Sequence, residues 1–438
     1  MRASESQVYT DTALAEIAWL STNNSNQVYH SLMHHFNVES LRQCFDRLEG
    51  KKAFGVDRVS KAIYGENLSS NLEDLVARMK RMAYRPGPVR EVLIPKEGKK
   101  GATRPLGISN FEDKLIQKRM QEILEAIYEP LFLDCSFGFR PRKSCHDAIK
   151  DLMGHLYKEE VEVVIDVDLA NFFGKIDRQI LKDMLNLKIK DKKFMRYVSR
   201  MFTAGVLADG ELSVTDEGVV QGSCVSPVFS NIMAHYVIDV WLEEAVKPLM
   251  RGNVKVVRYA DDLVICCRYE DDAKRIKSVL TKRLNKYNLA LNEEKTKMVN
   301  FSKSKSRQGI KQEAFEFLGF CMYLGKSRKG VTIPKLKTSG KRFRSKLNRV
   351  TDWARGIRNK ATLSEIWKIF CSKLRGHVQY YGVSFNSRMV EDFLREAGKI
   401  IFKWLNRRSQ RRSFSWDKFS LYVEAHPLPT ATIVHRLF

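Results

Sequence analysis

The sequence lacks any long hydrophobic run. Its longest apolar stretches are interrupted by charge, and residues 254–267 contain Lys255, Arg258, Asp261 and Asp262. A membrane span needs ~18 apolar residues with few or no charges, and the N-terminal residues lack the apolar core of a signal peptide. We therefore expect a cytoplasmic protein that has no membrane partner.

Cysteine is also sparse, and its spacing does not suit a metal scaffold. None of the 8 cysteines forms a Cys-x-x-Cys pair, so zinc ribbons and zinc fingers are not expected. In the absence of a secretion signal, reduced thiols are the simplest interpretation. Because 44% of the 438 residues are apolar, the chain can bury an ordinary core in two or three domains.

Acidic residues are in deficit. The chain has 76 Lys+Arg against 51 Asp+Glu, which gives a formal net charge of +25. Residues 335–438 hold 23 Lys+Arg and 7 Asp+Glu, so a quarter of the chain carries +16 of that charge. A surplus of this size indicates a polyanionic partner, most often nucleic acid, and a basic surface kept for solubility is the alternative.

The basic C-terminal quarter has the periodicity of helices. Apolar residues recur at helical intervals in three stretches, which begin at Phe343, Leu363 and Phe393. We predict a small helical bundle whose outer face grips a phosphate backbone. The candidate nucleic-acid contacts in this region are Lys341, Arg342, Arg375, Arg407, Arg408, Arg411 and Arg412.

Alternation and turn signals predict the other elements. Residues 89–94 alternate as a strand, and a Gly/Lys-rich turn leads to a returning strand at Arg104. A second hairpin is predicted over residues 205–214, with its turn at Asp209-Gly210. Apolar spacing and an N-terminal Ser-Pro signal predict helices over residues 111–133, 145–158 and 226–246.

Two pairs of carboxylates lie within apolar runs of the sequence, where a charged group is unfavourable. Asp166 and Asp168 end the β-branched run 161–168, and their spacing puts both side chains on one face of a strand. Asp261 and Asp262 interrupt a second apolar stretch. Buried carboxylates are costly unless they pair with a base or a cation, and carboxylate oxygens suit Mg²⁺.

We expect these carboxylates to converge and to hold two Mg²⁺ ions. Two metal ions ~4 Å apart can activate a 3′-hydroxyl and stabilise a leaving pyrophosphate in one in-line displacement. An isolated Asp-Asp pair is more often only a turn. The order of the whole series of motifs favours the metal site over the turn.

In that order, the motifs resemble those of the reverse transcriptases encoded by bacterial group II introns, also called maturases. The resemblance covers nearly the full length and is carried by Arg104-Pro-Leu-Gly-Ile, Ser136-Phe-Gly-Phe-Arg-Pro, Asp166-Val-Asp-Leu-Ala-Asn-Phe-Phe, Gln221-Gly-Ser-Cys-Val-Ser-Pro, Tyr259-Ala-Asp-Asp, Leu291-Asn-Glu-Glu-Lys-Thr-Lys, Phe317-Leu-Gly-Phe and Leu374-Arg-Gly-His-Val-Gln-Tyr-Tyr.

The resemblance implies an α+β right-hand polymerase followed by an α-helical thumb/maturase domain. Residues 1–53 would extend the fingers, and residues 54–160 would form them. The palm, with an antiparallel sheet, helices and a minor contribution to the fingers, would cover residues 161–334. The basic thumb/maturase region would cover residues 335–438.

The resemblance also assigns the metal ligands. Asp168 matches the family's first metal-binding aspartate, because an aromatic pair follows at the expected offset. Asp261 and Asp262 match the second carboxylate pair, and the backbone carbonyl of Leu169 should also face a metal. These aspartates are the implied catalytic residues, and the implied cofactor is a pair of Mg²⁺ ions.

Further roles concern the incoming deoxynucleotide. Lys96 and Arg104 would hold its triphosphate, and Gln221 would lie beside the templating pair. Phe173 would sit under the sugar and exclude a ribose 2′-hydroxyl. Lys295 matches a candidate proton donor to pyrophosphate, although a surface lysine is an equally good interpretation. From the second motif, Arg140 is a candidate nucleic-acid contact.

Two positions depart from the family pattern. Gly174 stands where members often have aspartate, and Ser223 stands where they commonly have glycine. Neither departure removes a metal ligand, but both could alter contacts to the sugar or the template.

The implied function is RNA-directed DNA polymerisation together with splicing and mobility of the chain's own intron. Its partners would be an RNA template, a DNA or RNA primer, deoxynucleoside triphosphates, structured intron RNA and target DNA, with nucleoid association during work on DNA. A free-standing reverse transcriptase in defence, spacer acquisition or repair is one alternative. A non-catalytic intron RNA-binding splicing cofactor is another. No oligomeric interface is legible in the sequence.

Overall fold

The computed structural model describes residues 12–95, 101, 103–208, 211–213, 217–408 and 414–437. The predicted contacts Lys96, Arg411 and Arg412 lie outside the described residues, as does the predicted turn at Asp209-Gly210. Within the described ranges the architecture is mixed α/β, with three sheets and many helices. None of the helices in these ranges is both long and apolar enough to cross a bilayer.

The N-terminal part forms helices first and then a hairpin. The helices are α1 Thr12–Asn23, α2 Val38–Arg47, α3 Lys61–Gly65 and α4 Leu68–Lys80. The predicted hairpin is present as the antiparallel strands β1 Val89–Pro95 and β2 Thr103–Ile108.

Helices and one strand fill the next hundred residues, and a second hairpin ends them. In chain order they are α5 Phe111–Tyr128, α6 Cys145–Lys158, β3 Val163–Asp168, α7 Phe172–Lys175, α8 Arg178–Asn186, α9 Lys192–Phe202, β4 Val206–Ala208 and β5 Glu211–Ser213. A capping box at Ser144 starts α6, which covers the predicted residues. Strands β4 and β5 form the predicted second hairpin, and β4 also pairs parallel with β1. The resulting sheet has the order β2-β1-β4-β5.

The predicted long helix after Ser226 is present, but it is only partly α-helical. Helix α10 covers Ser226–Ala234, and the chain continues through π-helical segments at His235–Asp239 and Leu242–Val246 into a 3-10 turn at Lys247–Leu249. A π segment fits an extra residue into a turn, so it changes which side chains face the neighbouring strands.

The central sheet has the order β6-β7-β3-β8 and is antiparallel throughout. Its new elements are β6 Val254–Tyr259, β7 Asp262–Cys267, α11 Glu270–Lys286 and β8 Lys297–Asn300. This agrees with the antiparallel sheet expected for residues 161–334.

The C-terminal part combines a small sheet with a group of helices. After α12 Lys303–Arg307 come β9 Phe315–Phe317, β10 Phe320–Lys326 and β11 Thr332–Thr338, which form one antiparallel sheet. The helices are α13 Gly340–Ile357, α14 Leu363–Tyr381, α15 Ser387–Leu405 and α16 Trp416–Ala425. The first three correspond to the three predicted amphipathic stretches, whereas α16 was not predicted.

Two clusters of buried side chains cover opposite faces of the central sheet. Val163, Ile165 and Val167 belong to the cluster shared with the N-terminal helices, whereas Val164 belongs to the cluster shared with the C-terminal helices. Successive side chains of a strand point to opposite faces. The residues that follow Val164 at intervals of two therefore face the C-terminal helices.

Candidate active site

Three aspartates meet at one edge of the central sheet. Strand β3 ends at Asp168 and strand β7 begins at Asp262, and these two residues are directly paired across the strands. Asp166 precedes Asp168 by two residues and shares its face. The register therefore brings the two predicted carboxylate stretches together, as expected from the sequence.

The backbone after Asp168 also has a defined direction. The carbonyl of Asp168 accepts a hydrogen bond from Asn292 N at 2.8 Å, and Ala170 N donates to the Ala290 carbonyl at 2.9 Å. Because successive carbonyls of an extended chain point to opposite sides, the Leu169 carbonyl is directed away from Asn292, toward the side of β7.

The carboxylates at this edge repel one another. Desolvation by the surrounding protein atoms, followed by the charges of Asp261, Asp166 and Asp168, raises the pKa of Asp262 to about 7. The Asp262 side chain is nevertheless exposed at the mouth of the site, so the repulsion between the carboxylates is the firmer cause. Burial and the charge of Asp168 raise the pKa of Asp166 to about 6, and burial also raises that of Asp261. Carboxylates that repel one another in this way favour a bound cation.

Lys295 forms an ion pair at this edge. Its Nζ lies 3.0 Å from Oδ1 and 3.1 Å from Oδ2 of Asp168, and about half of its side chain is exposed. The hydroxyl of the next residue, Thr296, accepts a hydrogen bond from Asp168 N at 3.3 Å. Lys295 is therefore part of the acidic site and not a remote surface lysine.

A cleft of about 800 Å³ opens above the carboxylates. Asp166, Asp168 and Asp262 line it together with Lys341 and Arg342 from the first turn of α13. The Phe317-Leu-Gly motif forms another part of the lining. The cleft is thus lined by both signs of charge: Lys341 and Arg342 come from α13, whereas Lys295 and Lys297 lie on the side of the central sheet with the aspartates.

Below the sheet, a buried arginine supports the turn that carries Asp261. Arg258 is fully buried, and its guanidinium donates to the Asp239 carboxylate at 2.7 and 2.5 Å. The same group donates to the Ala260 carbonyl at 3.0 Å and to Asn231 Oδ1 at 3.1 Å. Asp239 ends a π-helical segment, which explains how its carboxylate comes to face the strand.

The Ser136-Phe-Gly-Phe motif packs directly against this turn. Phe137 N donates to the Arg258 carbonyl at 2.8 Å, and Asn231 Nδ2 donates to the Gly138 carbonyl at 2.7 Å. A Cβ atom on Gly138 would lie 2.2 Å from the backbone nitrogen of Ala260. Only glycine allows this approach.

Sequence reasoning missed the positioning roles of Arg258, Asp239 and Asn231. An arginine inside an apolar strand was visible, and it needed a buried partner. Asp239, in the otherwise apolar middle of a predicted helix, was the available signal.

The predicted sugar-discriminating residue lies beside the same edge. Phe173 is half-buried, and its carbonyl accepts a hydrogen bond from Val219 N at 2.9 Å. Gly174, the first departure from the family pattern, lies against Gly218: a Cβ atom on Gly218 would be 3.0 Å from the Gly174 carbonyl oxygen. This departure thus accompanies a close contact between two backbone segments.

The Gln221-Gly222 segment is held by the hairpin of β1 and β2. Gly107 N donates to the Gln221 carbonyl at 2.7 Å, and a Cβ atom on Gly222 would lie 2.6 Å from the Gly107 carbonyl oxygen. Gly222 has φ +107°, which also favours glycine. Its close backbone approach is made to strand β2. Ser223, the second departure, is buried.

The predicted role of Arg140 in nucleic-acid binding is wrong. Its guanidinium donates to the Glu129 carboxylate at 2.9 Å and to the carbonyls of Leu133 and Ser136 at 2.8 Å. The side chain is buried, so these contacts occupy its donors and keep it from an external phosphate.

The other predicted basic contacts differ in position. Arg104 is exposed on β2, Arg375 is exposed on α14, and Arg407 is exposed in the turn that follows α15. Arg408 is half-buried and donates to the Ala361 carbonyl at 3.0 Å. Of the described C-terminal candidates, Lys341 and Arg342 line the cleft.

The donor chemistry of the site suits a hard divalent cation. The groups available are the carboxylates of Asp168, Asp261 and Asp262 and the Leu169 carbonyl, and all four are oxygen donors. Within the described ranges, no three acidic, histidine or cysteine side chains already stand together at ion-binding spacing. The convergence of oxygen donors from β3 and β7, at the paired residues Asp168 and Asp262, is the observation that fits a bound cation.

Comparison with known proteins gives the family. The reverse transcriptase (RNA-dependent DNA polymerase) family matches residues 94–322, which include every aspartate discussed above. That range is 229 of the 438 residues.

Curated relatives extend the match. Group II intron-encoded protein LtrA of Lactococcus lactis subsp. cremoris is 28% identical over 411 residues, covering 74% of this chain and 65% of the relative. Protein YkfC of Escherichia coli is 32% identical over 243 residues, covering 51% of this chain and 63% of the relative. The putative COX1/OXI3 intron 1 protein of Saccharomyces cerevisiae is 27% identical over 376 residues, covering 75% and 43%.

The chain thus spans less than two thirds of the length of each of these three relatives. Because the family match covers more than half of it, the chain belongs to the reverse transcriptase family, and its relatives include proteins encoded by group II introns.

Proposed function

We propose that the chain is an RNA-directed DNA polymerase that copies RNA into DNA by nucleotidyl transfer. The single observation that carries this proposal is the direct pairing of Asp168 with Asp262, which line one cleft together with the basic residues Lys341 and Arg342 of α13. This arrangement suits the 3′-end of a nucleic acid and a nucleoside triphosphate, because both present negative charge to cations.

The proposed architecture is a right hand. Residues 1–53 and 54–160 are the fingers, residues 161–334 the palm and residues 335–438 the thumb/maturase region. The pairing of β4 with β1 supports a contribution of the palm segment to the fingers. The separation of the buried side chains into two clusters supports a thumb packed on the far face of the palm sheet.

Two Mg²⁺ ions are the proposed cofactor, held by Asp168, Asp261, Asp262 and the Leu169 carbonyl. When bound, they would supply activation of the primer 3′-hydroxyl and stabilisation of the leaving pyrophosphate.

The chain's own residues prepare the reactants. Lys295, whose Nζ lies 3.0 Å from Asp168 Oδ1, is the proposed proton donor to the pyrophosphate oxygen. Lys96 and Arg104 neutralise the triphosphate, and Gln221 borders the templating pair. Phe173 excludes a ribose 2′-hydroxyl by its size.

We further propose that the chain is a splicing maturase and a mobility factor for its own intron. The relatives named as intron-encoded proteins and the charge of +16 in residues 335–438 support this. Structured intron RNA and target DNA would then bind through phosphates and shape. The retained set of three aspartates supports catalysis over a purely RNA-binding role.

The test is primer extension on an RNA template with deoxynucleotides and Mg²⁺. Asp261→Asn should reduce extension by on the order of a thousandfold, because it removes a charged metal ligand, and should leave RNA binding intact in a filter assay. Asp271→Asn, at an aspartate whose side chain is 74% exposed, is the matched control and should extend normally. Equal extension by both variants would reject the assignment.

A further inference from the structure

We propose that Phe139 is a second specificity-determining residue for the nucleotide sugar, because its ring holds Phe173 in the position that excludes a ribose 2′-hydroxyl. This inference rests on the proposed function and deepens it. It names the group that fixes the sugar-excluding ring in place.

The Phe173 ring is supported by two neighbouring rings, Phe139 and Phe172. The Phe139 and Phe173 centroids are 6.2 Å apart with an interplanar angle of 89°, which is an edge-to-face contact. On another side, Phe172 meets Phe173 at 6.1 Å and 79°. Edge-to-face pairs are favourable beyond their buried area. Phe173 is therefore contacted by one buried ring, Phe172, and by one largely exposed ring, Phe139.

Phe139 has no evident role in the core. Its side chain is 48% exposed, and it belongs to neither cluster of buried side chains. An exposed phenylalanine can be removed with little loss of buried apolar area. Its contact with Phe173 is the interaction that distinguishes it from an ordinary surface residue.

The backbone of Phe139 is held in an uncommon conformation. Its φ of +56° is in the left-handed region, which costs energy for a residue other than glycine and is typically retained at functional sites. Both neighbours are anchored: the Gly138 carbonyl accepts from Asn231, and Arg140 is bonded to Glu129. The strained residue is thus fixed from both sides, and its ring has a defined position.

The same anchoring connects Phe139 to the turn that carries Asp261. Gly138 is packed against the backbone of Ala260, the residue before Asp261. The motif that presents Phe139 is therefore built on the element that carries the metal-binding aspartates. This ties the position of the Phe139 ring to that of the Asp261 turn.

Loss of the Phe139 ring should weaken discrimination and spare polymerisation. Without its edge-to-face partner, Phe173 gains space on its exposed side and can yield to a 2′-hydroxyl. A deoxynucleotide has no 2′-hydroxyl and therefore does not occupy that space. We expect the ratio of kcat/KM for a deoxynucleotide to that for its ribonucleotide to fall by about threefold to tenfold.

The experiment measures this ratio on an RNA template for the full chain and for Phe139→Leu, Phe139→Gly and Phe139→Tyr. Phe139→Gly removes the ring and relieves the left-handed backbone, so it keeps the test valid if the leucine variant folds poorly. Phe139→Tyr keeps the ring and should keep the ratio. Deoxynucleotide kcat/KM is measured in the same assays, and its change should be smaller than the change in ribonucleotide kcat/KM.

Phe385→Leu is the matched control. Phe385 is also exposed, at 41%, and also has a left-handed φ, at +71°, but it lies in the loop between α14 and α15. Its substitution should leave the ratio unchanged.

Two outcomes would overturn the inference. One is an unchanged ratio in Phe139→Leu and Phe139→Gly while Phe173→Ala lowers it, which would leave the proposed function in place. The other is an equal loss for both sugars, which would make Phe139 a general structural support. An unchanged ratio in Phe173→Ala would instead remove the sugar-exclusion role from the proposed function itself.

Discussion

The catalytic edge and the basic C-terminal helices achieve function in different ways. At the edge, contacts of individual buried residues fix the turn that carries Asp261. Arg258 makes hydrogen bonds to four partners, and Gly138 lies so close to the Ala260 backbone that a residue with a Cβ atom would not fit. On the C-terminal helices, cations such as Arg375 and Lys341 are exposed. Catalysis at the edge should therefore depend on the identity of single residues. Nucleic-acid binding by the C-terminal part should depend on the number of exposed positive charges.

The sharpest test of this contrast removes the buried arginine. Arg258→Met should destabilise the fold by about 3–5 kcal/mol, because it leaves the Asp239 carboxylate buried without a partner. Urea unfolding followed by circular dichroism measures this loss.

A double variant provides its control. Arg258→Met with Asp239→Leu removes both buried charges and should recover much of the stability. Equal destabilisation by the single and double variants would show that hydrogen bonds to Asn231 and Ala260, and not the ion pair, carry the effect.

The next test adds one methyl group to each region. Gly138→Ala should cost about 1–3 kcal/mol and reduce primer extension, because the new Cβ would displace the backbone of the Asp261 turn. Gly376→Ala, within α14, meets no atom within 4 Å and should be neutral or stabilising by up to about 1 kcal/mol. Thermal melts and extension assays on both variants measure the difference. Similar losses in both would contradict the contrast.

A third test uses pH on the C-terminal helices. His377 is buried against Phe393, with ring centroids 3.5 Å apart, and neither ring nitrogen has a hydrogen-bond partner in the described structure. Burial, assisted by the charge of Lys346, lowers the pKa of His377 to about 3.

Because the folded pKa of His377 is below the unfolded value of about 6.5, its contribution to stability is complete above that pH. It is lost as pH falls from about 6.5 toward about 3, by up to about 1.4 kcal/mol per pH unit. His377→Phe should flatten this part of the stability profile in urea unfolding at a series of pH values. An unchanged slope in the variant would assign the acid sensitivity to other groups.

The smallest expected effects come from single exposed cations. Arg375→Ala should weaken RNA binding only slightly and reduce the slope of log affinity against log salt by about 0.7–0.9. Combining it with Lys341→Ala and Arg407→Ala should reduce the slope by about two to three. Lys399→Ala, at a lysine already paired with Glu396 at 2.8 Å, is the control. A single substitution that abolished binding would mean that one position dominates the surface.

Sequence patterns and motif order explain which predictions succeeded. The helix predicted over residues 145–158 is present as α6. The convergence of the two carboxylate pairs, expected from the order of the motifs, is present as the pairing of Asp168 with Asp262. The first prediction depends on residues close together in the sequence, whereas the second joins strands that lie far apart in it.

Tertiary partners explain the rest. Arg140 was assigned to nucleic acid from its charge alone, but Glu129 and two backbone carbonyls bind it inside the fold. The π segment that ends at Asp239 has no periodicity that separates it from an α-helix. The close approach of Gly222 was expected at the template, yet its neighbour is the backbone of Gly107.

The parallel pairing of β4 with β1 has a consequence for synthesis of the chain. The hairpin of β1 and β2 leaves the ribosome about a hundred residues before β4. Until β4 has been synthesised, the edge of β1 that pairs with β4 has no partner strand. Unpaired strand edges promote aggregation. Truncated chains that stop short of residue 206 should therefore be harder to keep in solution than chains that include β4 and β5.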